Sequence, residues 1–173
     1  MRKSPVLKLV LCAALAAMYV VLAYFSVGTN DFKVAFGSIA ILMAALLMGP
    51  TAGFAVGAMG EFINQLLKYG IDPTTPMWLI PYACAGLVVG IIIHFCKYKP
   101  SNFVLFLSIA LHEIIITALV TPVNYFAAVI QGWGNWPMIA AAIPLRVAIM
   151  GVRVLIYFIV VPVLYKAIKK VNP

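Results

Sequence analysis

The chain has 173 residues, 65% of them hydrophobic and only 9% charged, with a mean hydropathy of +1.12 and a formal net charge of +8. Soluble domains carry about 25% charged residues, so a water-facing globule is excluded and lipid must serve as the solvent. The length allows one domain, residues 1–173, of about six spans at roughly 20 residues each.

Apolar runs predict an all-α membrane protein, a six-helix transmembrane bundle with spans at about 6–27, 35–49, 51–68, 76–96, 102–130 and 138–165. If the N-terminus is cytoplasmic, the inner side collects Arg2, Lys3, Lys8, Lys97, Lys99, Lys166, Lys169 and Lys170. The outer loops keep Lys33 and Lys68, with Asp31 and Asp72. Basic residues concentrate on the inner side of membrane proteins, so both termini are expected in the cytosol. The positive charge is therefore topological rather than a nucleic-acid footprint. The chain has no G-x-x-x-x-G-K-[ST] loop, so work driven by ATP would fall to another chain.

The first apolar run, of about 20 residues, exceeds the core of a signal peptide. Within it, Ala13 and Ala17 are one helical turn apart and form a smooth stripe that lets another helix approach closely, in this chain or in a partner. Cys12, Cys84 and Cys96 are odd in number and lack C-x-x-C spacing, so they read as small apolar fillers with no metal or redox role. Met48-Gly49-Pro50 is too short for a true loop and predicts a tight hairpin between the second and third spans. Gly53, Gly57 and Gly60 mark close helix contact along the third.

The outer end of the third span carries Glu61, Asn64, Gln65 and Lys68 at i, i+3, i+4 and i+7, which places them on one helical face. An interfacial cap suits Lys68, but Glu61 lies two turns deeper, so the stripe is expected to wall a binding site. Trp78 and Tyr82 follow on one face of the fourth span, where they form an interfacial aromatic belt or a stacking surface. Pro81 would disturb that helix and free backbone groups towards a polar cavity.

The fifth segment places His112-Glu113 mid-membrane, the two side chains expected on opposite helix faces, with Asn124 and Tyr125 further out. A zinc site would need more ligands than these, and no H-E-x-x-H is present. The uncharged aromatic loop from Gln131 to Pro137 suits a lid. The last span holds Arg146 and Arg153, seven residues apart, and a guanidinium at bilayer depth costs roughly 2.5–3.5 kcal/mol unless it faces protein, water or ligand. Matched depths suggest two pairs: Glu61 with Arg146 near an outward cavity, and a deeper structural pair of Glu113 with Arg153.

Several of these segments carry a resemblance. Ala13-x-x-x-Ala17, Phe36-Gly37-Ser38-Ile39, Leu47-Met48-Gly49-Pro50-Thr51-Ala52-Gly53 and Gly60-Glu61-Phe62 with Gln65-Leu66-Leu67 are similar to the folate-type S components of energy-coupling factor (ECF) vitamin transporters. The resemblance covers nearly the whole chain. It implies a bacterial membrane protein that binds a vitamin with high affinity, needs no cofactor and is not an enzyme. Its implied partners are a transmembrane coupling protein and two cytoplasmic ATPases, and it delivers the vitamin by reorienting in the bilayer. Ala13 and Ala17 would then form the docking face for the coupling protein.

Folate is the expected ligand. A pterin edge suits Glu61 or Gln65, its ring can stack on Trp78 or Tyr82, and its glutamate tail suits Arg146. Asn64, Lys68, Asn124 and Tyr125 would complete the wall. Where folate binders often carry Arg-Gly in the fourth span, this chain has Cys84-Ala85-Gly86. Riboflavin, pantothenate or a deazaguanine would use overlapping groups. A six-span structural scaffold would leave the outer polar and aromatic groups without a task. An intramembrane enzyme would need a Ser–His or paired-Asp constellation that is not visible.

Overall fold

A backbone in lipid must satisfy its own hydrogen bonds, so an apolar chain of this kind folds into helices. The structure, a computed structural model, describes residues 5–25, 27–28, 33–34 and 36–171. Its helices are α1 (Pro5–Tyr24), α2 (Ser38–Met48), α3 (Pro50–Tyr69), α4 (Thr75–Phe95), α5 (Asn102–Ile130), α6 (Trp136–Ala141) and α7 (Ile143–Val171). A two-residue antiparallel ribbon, β1 (Val27–Gly28) with β2 (Lys33–Val34), is the exception to an all-helical fold among the described residues. Arg2, Lys3 and Asp31 lie outside the described residues.

Among the described residues, four helical stretches are long and apolar enough to cross a membrane: α1, α4, α5 and the stretch Trp136–Lys170. The second expected span is instead a short helix: α2 has 11 residues. At 1.5 Å per residue it reaches roughly 16 Å, about half of a bilayer core. It is apolar on every side, which is the pattern of a helix enclosed by protein. Leu42, Met43, Leu46 and Ile39 pack with Val89, Ile109, Tyr157 and Val161, while Ala40, Ile41, Ala44 and Met48 pack with Tyr19, Ala23 and Val56. This short helix is the hub around which the bundle closes. The sixth expected span is likewise broken at Ala142, between α6 and α7.

Gly49 ends α2 with φ +92°, its N–H donating to Ala45 O at 3.1 Å, and Pro50 opens α3. Proline at the first helical turn loses nothing, because its missing N–H would have been unpaired there. The hairpin is therefore as tight as Met48-Gly49-Pro50 requires. Glycine then sets the spacing of α3 and α4. A Cβ on Gly53 would meet the Gly86 carbonyl, and one on Gly57 would meet the Tyr82 carbonyl. A Cβ on Gly90 would meet the Pro50 backbone. Gly86 and Gly90 repeat on α4 the one-turn spacing of Gly53 and Gly57 on α3, so the two backbones touch directly.

Candidate functional site

Beside the close α3–α4 contact, with α1 packed on α3, lies a cavity of about 450 Å³. That volume lies in the range of small-molecule sites, about 300–1,000 Å³. The α3 stripe supplies Glu61, Asn64, Gln65 and Lys68, and α4 supplies Trp78 and Tyr82. Tyr19 and Ala23 enter from α1, Ser38 from the start of α2, Asp72 and Thr74 from the α3–α4 connection, Gln131 from beyond α5, and Arg153 from α7.

Glu61 organises this wall. It is buried, and it accepts hydrogen bonds from Tyr19 Oη at 2.6 Å, Gln65 Nε2 at 2.6 Å and Asn64 Nδ2 at 3.0 Å. A carboxylate can accept about four such bonds, so one buried acid fixes two amides and a phenol at once. Tyr19 reaches it because Gly60 and Gly37 leave room: a Cβ on either would strike the Tyr19 ring. The same ring meets Tyr82 edge-to-face, with centroids 5.9 Å apart. Lys68 Nζ donates to Ala23 O at 3.1 Å and ties α3 to α1.

The mouth is held by polar turns. Asp72 Oδ1 accepts from Thr74 N at 2.7 Å, and Asp72 N donates to Thr75 Oγ1 at 3.0 Å. Hydrogen bonds from Thr74, with a further one from Gln131, hold the Asp72 carboxyl below the usual carboxylate range. Of the segment expected to form a lid, Gln131 borders the cavity, and it accepts a hydrogen bond from Trp133 Nε1 at 3.0 Å.

The deeper polar cluster joins α5 to α7. Glu113 is fully buried, with Oε2 3.1 Å from Arg153 Nε and Oε1 3.2 Å from His112 Nδ1. The Arg153–Glu113 contact has ion-pair distance but not hydrogen-bond alignment. His112 and Glu113 do not point apart as expected. Neighbours on a helix diverge by only about 100°, which lets the ring reach back to the carboxylate. Ser38 lies within reach of both Glu113 and Tyr157.

Arg146 is placed differently from expectation. It lines a second, smaller cavity of about 210 Å³ with Tyr82, Ile116, Thr117, Val120, Ile149 and Arg153. No Glu61–Arg146 pair forms among the described residues, because α7 packs on α5 and α2 rather than α3. Equal depth does not make two side chains face each other. Asn124 and Tyr125 line neither cavity; the Tyr125 ring packs edge-to-face on Trp136, 5.4 Å away. Ala13 and Ala17 are exposed, while Ala16, Tyr19 and Ala23 form the buried face of α1.

Residues 3–170 match the family model of the ECF-type riboflavin transporter, S component. The chain belongs to the ECF-type S-component family. It is also 32% identical over 81 residues to UPF0397 proteins of Lactobacillus johnsonii and Lactobacillus gasseri, covering 44% of this chain and 42% of each relative. The matched stretch thus spans less than half of those relatives. A solved structure of the S component of a bacterial ECF transporter superposes with a TM-score of 0.67 at 22% identity. That likeness covers 94% of this chain and 95% of the other, and carries the fold alone. S components are transporter subunits, not an enzyme class, and this one is a membrane protein of that kind.

Within the S component, the cavity also brings in residues that the sequence did not single out as wall residues: Tyr19, Ser38, Asp72, Thr74 and Gln131. A lone tyrosine in an apolar run gives no periodic signal. The paired small residues opposite it, Gly37 and Gly60, are the trace it leaves in the sequence.

Proposed function

We propose that this S component binds riboflavin in the α1–α3–α4 cavity and delivers it inward as part of an ECF-type importer. The observation that carries this reading is the cluster around Glu61. It holds Asn64 and Gln65 beside Lys68 and opposite Trp78 and Tyr82, in one cavity of about 450 Å³. Each amide uses one N–H on Glu61 and keeps its other N–H and its oxygen for a ligand. The pyrimidine edge of a flavin alternates carbonyl oxygens around one N–H, which such amides and an ammonium complement. Its flat ring system suits Trp78 and Tyr82, and its ribityl chain is neutral and needs no guanidinium.

The name of the matching family favours the same ligand. Folate is the second reading: a pterin edge would suit the same amides and Glu61. Arg146, expected at its glutamate tail, lies in the adjoining smaller cavity rather than in this one, and this reading takes folate second because the matching family model is that of a riboflavin transporter. In either case the chain spans the bacterial membrane with both termini cytoplasmic.

Transport would need a transmembrane coupling protein and two ATPases, with the exposed Ala13–Ala17 face of α1 as the docking surface. The test is uptake of radiolabelled riboflavin in cells that make the chain with or without a coupling module. Uptake should require the module. Ala17→Trp should abolish uptake and leave riboflavin binding to the purified protein intact. Concentrative uptake by this chain alone would overturn the importer reading, and loss of binding in Ala17→Trp would overturn the docking assignment.

A further inference from the structure

The smaller cavity between α4, α5 and α7 contains buried polar atoms that lack a hydrogen-bond partner among the described residues. Arg146 Nη1, Arg153 Nε and Thr117 Oγ1 are buried without a hydrogen-bond partner among the described residues. Arg146 and Arg153 are two turns apart on one face of α7 and both line the cavity. Glu113 answers the charge of Arg153, but among the described residues no carboxylate lies within ion-pair distance of Arg146. An unanswered guanidinium in a membrane-spanning segment is costly, and the group that answers it best is an oxyanion, which can take the planar N–H fork and a hydroxyl donor together.

Size narrows the occupant. A cavity of about 210 Å³ falls below the usual range for a whole vitamin, about 300–1,000 Å³. It suits a carboxylate or phosphate group with a few waters at about 30 Å³ each. Its position narrows it further, since Tyr82 and Arg153 border both this cavity and the main one.

We propose that the second cavity is an oxyanion subsite in which Arg146, Arg153 and the Thr117 hydroxyl hold a carboxylate or phosphate group. The group is either carried on the tail of the ligand in the main cavity or bound as a free anion. The first case rests on the vitamin-binding reading above; the second does not.

The test uses the purified full chain in detergent, with riboflavin, its 5′-phosphate ester and inorganic phosphate as probes. If the anion is carried on the ligand, Arg146→Ala should weaken the ester by roughly 10–150-fold and riboflavin by less than about threefold. Arg146→Lys should recover part of that loss, because it restores charge without the fork. If the anion is free, inorganic phosphate should raise the thermal midpoint of the native protein but not of Arg146→Ala, and the two flavins should bind alike. Thr117→Val carries the same measurements should Arg146→Ala fail to fold.

An unchanged affinity ratio for the two flavins, together with no phosphate shift that depends on Arg146 or Thr117, would overturn the subsite. Absence of any flavin binding, with the phosphate shift intact, would instead reject riboflavin and leave the subsite standing.

Discussion

Glu61 and Glu113 are both buried carboxylates in a membrane bundle, yet they are answered in different ways. Glu61 meets neutral donors, from Tyr19, Asn64 and Gln65, beside an open cavity. Glu113 meets Arg153 and His112 inside the packed bundle and lines neither cavity. Neutral donors fix geometry while keeping hydrogen-bonding capacity that a ligand can use. A charged partner joins two helices and is strongly missed when removed. On the proposed reading, the first arrangement serves recognition and the Glu113 side of the second serves the frame.

The sharpest way to break that contrast is Glu113→Ala. It strands Arg153 in the bundle, and removing one partner of a buried pair costs about 3–5 kcal/mol. A large fall in the thermal midpoint, or failure to elute as a single species, is expected. Near-native stability would show that the pair is not part of the frame.

A smaller effect is expected for Tyr19→Phe, which removes one hydrogen bond to Glu61 and keeps the ring against Tyr82 and Gly60. Stability should fall by about 1 kcal/mol. Ligand affinity should fall by a similar amount, because the carboxylate loses one of the donors that aim it. Denaturant or thermal unfolding with and without riboflavin separates the two.

The smallest effect lies at the mouth. The Asp72 carboxyl is held below its ordinary range by Thr74 and Gln131, so its stabilising contribution is present above the unfolded pKa of about 3.9 and is lost as pH falls through the folded value. Asp72→Ala should melt slightly below the native protein at neutral pH, and the gap should close in acid. A gap that widens in acid would contradict the assignment.

Most of the helical architecture was legible because hydropathy and breakers speak along the chain. Met48-Gly49-Pro50 marked the hairpin, and the i, i+3, i+4, i+7 spacing from Glu61 to Lys68 marked one wall of the cavity. What was not legible depends on which neighbour a helix face meets. Depth alone paired Glu61 with Arg146, but α7 packs against α5 and α2, so the arginine turns elsewhere. The length of α2 was overread because an apolar run looks the same whether lipid or protein surrounds it. Tyr19 was missed because its role comes from two glycines on other segments. Gly86 and Gly90 on α4 gain their meaning only from what they face, the backbones of Gly53 and Pro50.

The most direct measurement is an equilibrium titration of the purified full chain with riboflavin, followed by quenching of flavin fluorescence, with Glu61→Ala in parallel. The native protein should bind an equimolar amount with submicromolar affinity. Glu61→Ala, which releases both amides from their fixed orientation, should lose roughly 10–150-fold in affinity, as expected for hydrogen bonds to a charged group worth about 1.5–3 kcal/mol. It should lose less stability than Glu113→Ala. No riboflavin binding by folded native protein, or native affinity in folded Glu61→Ala, would contradict the assignment of this cavity as the vitamin site.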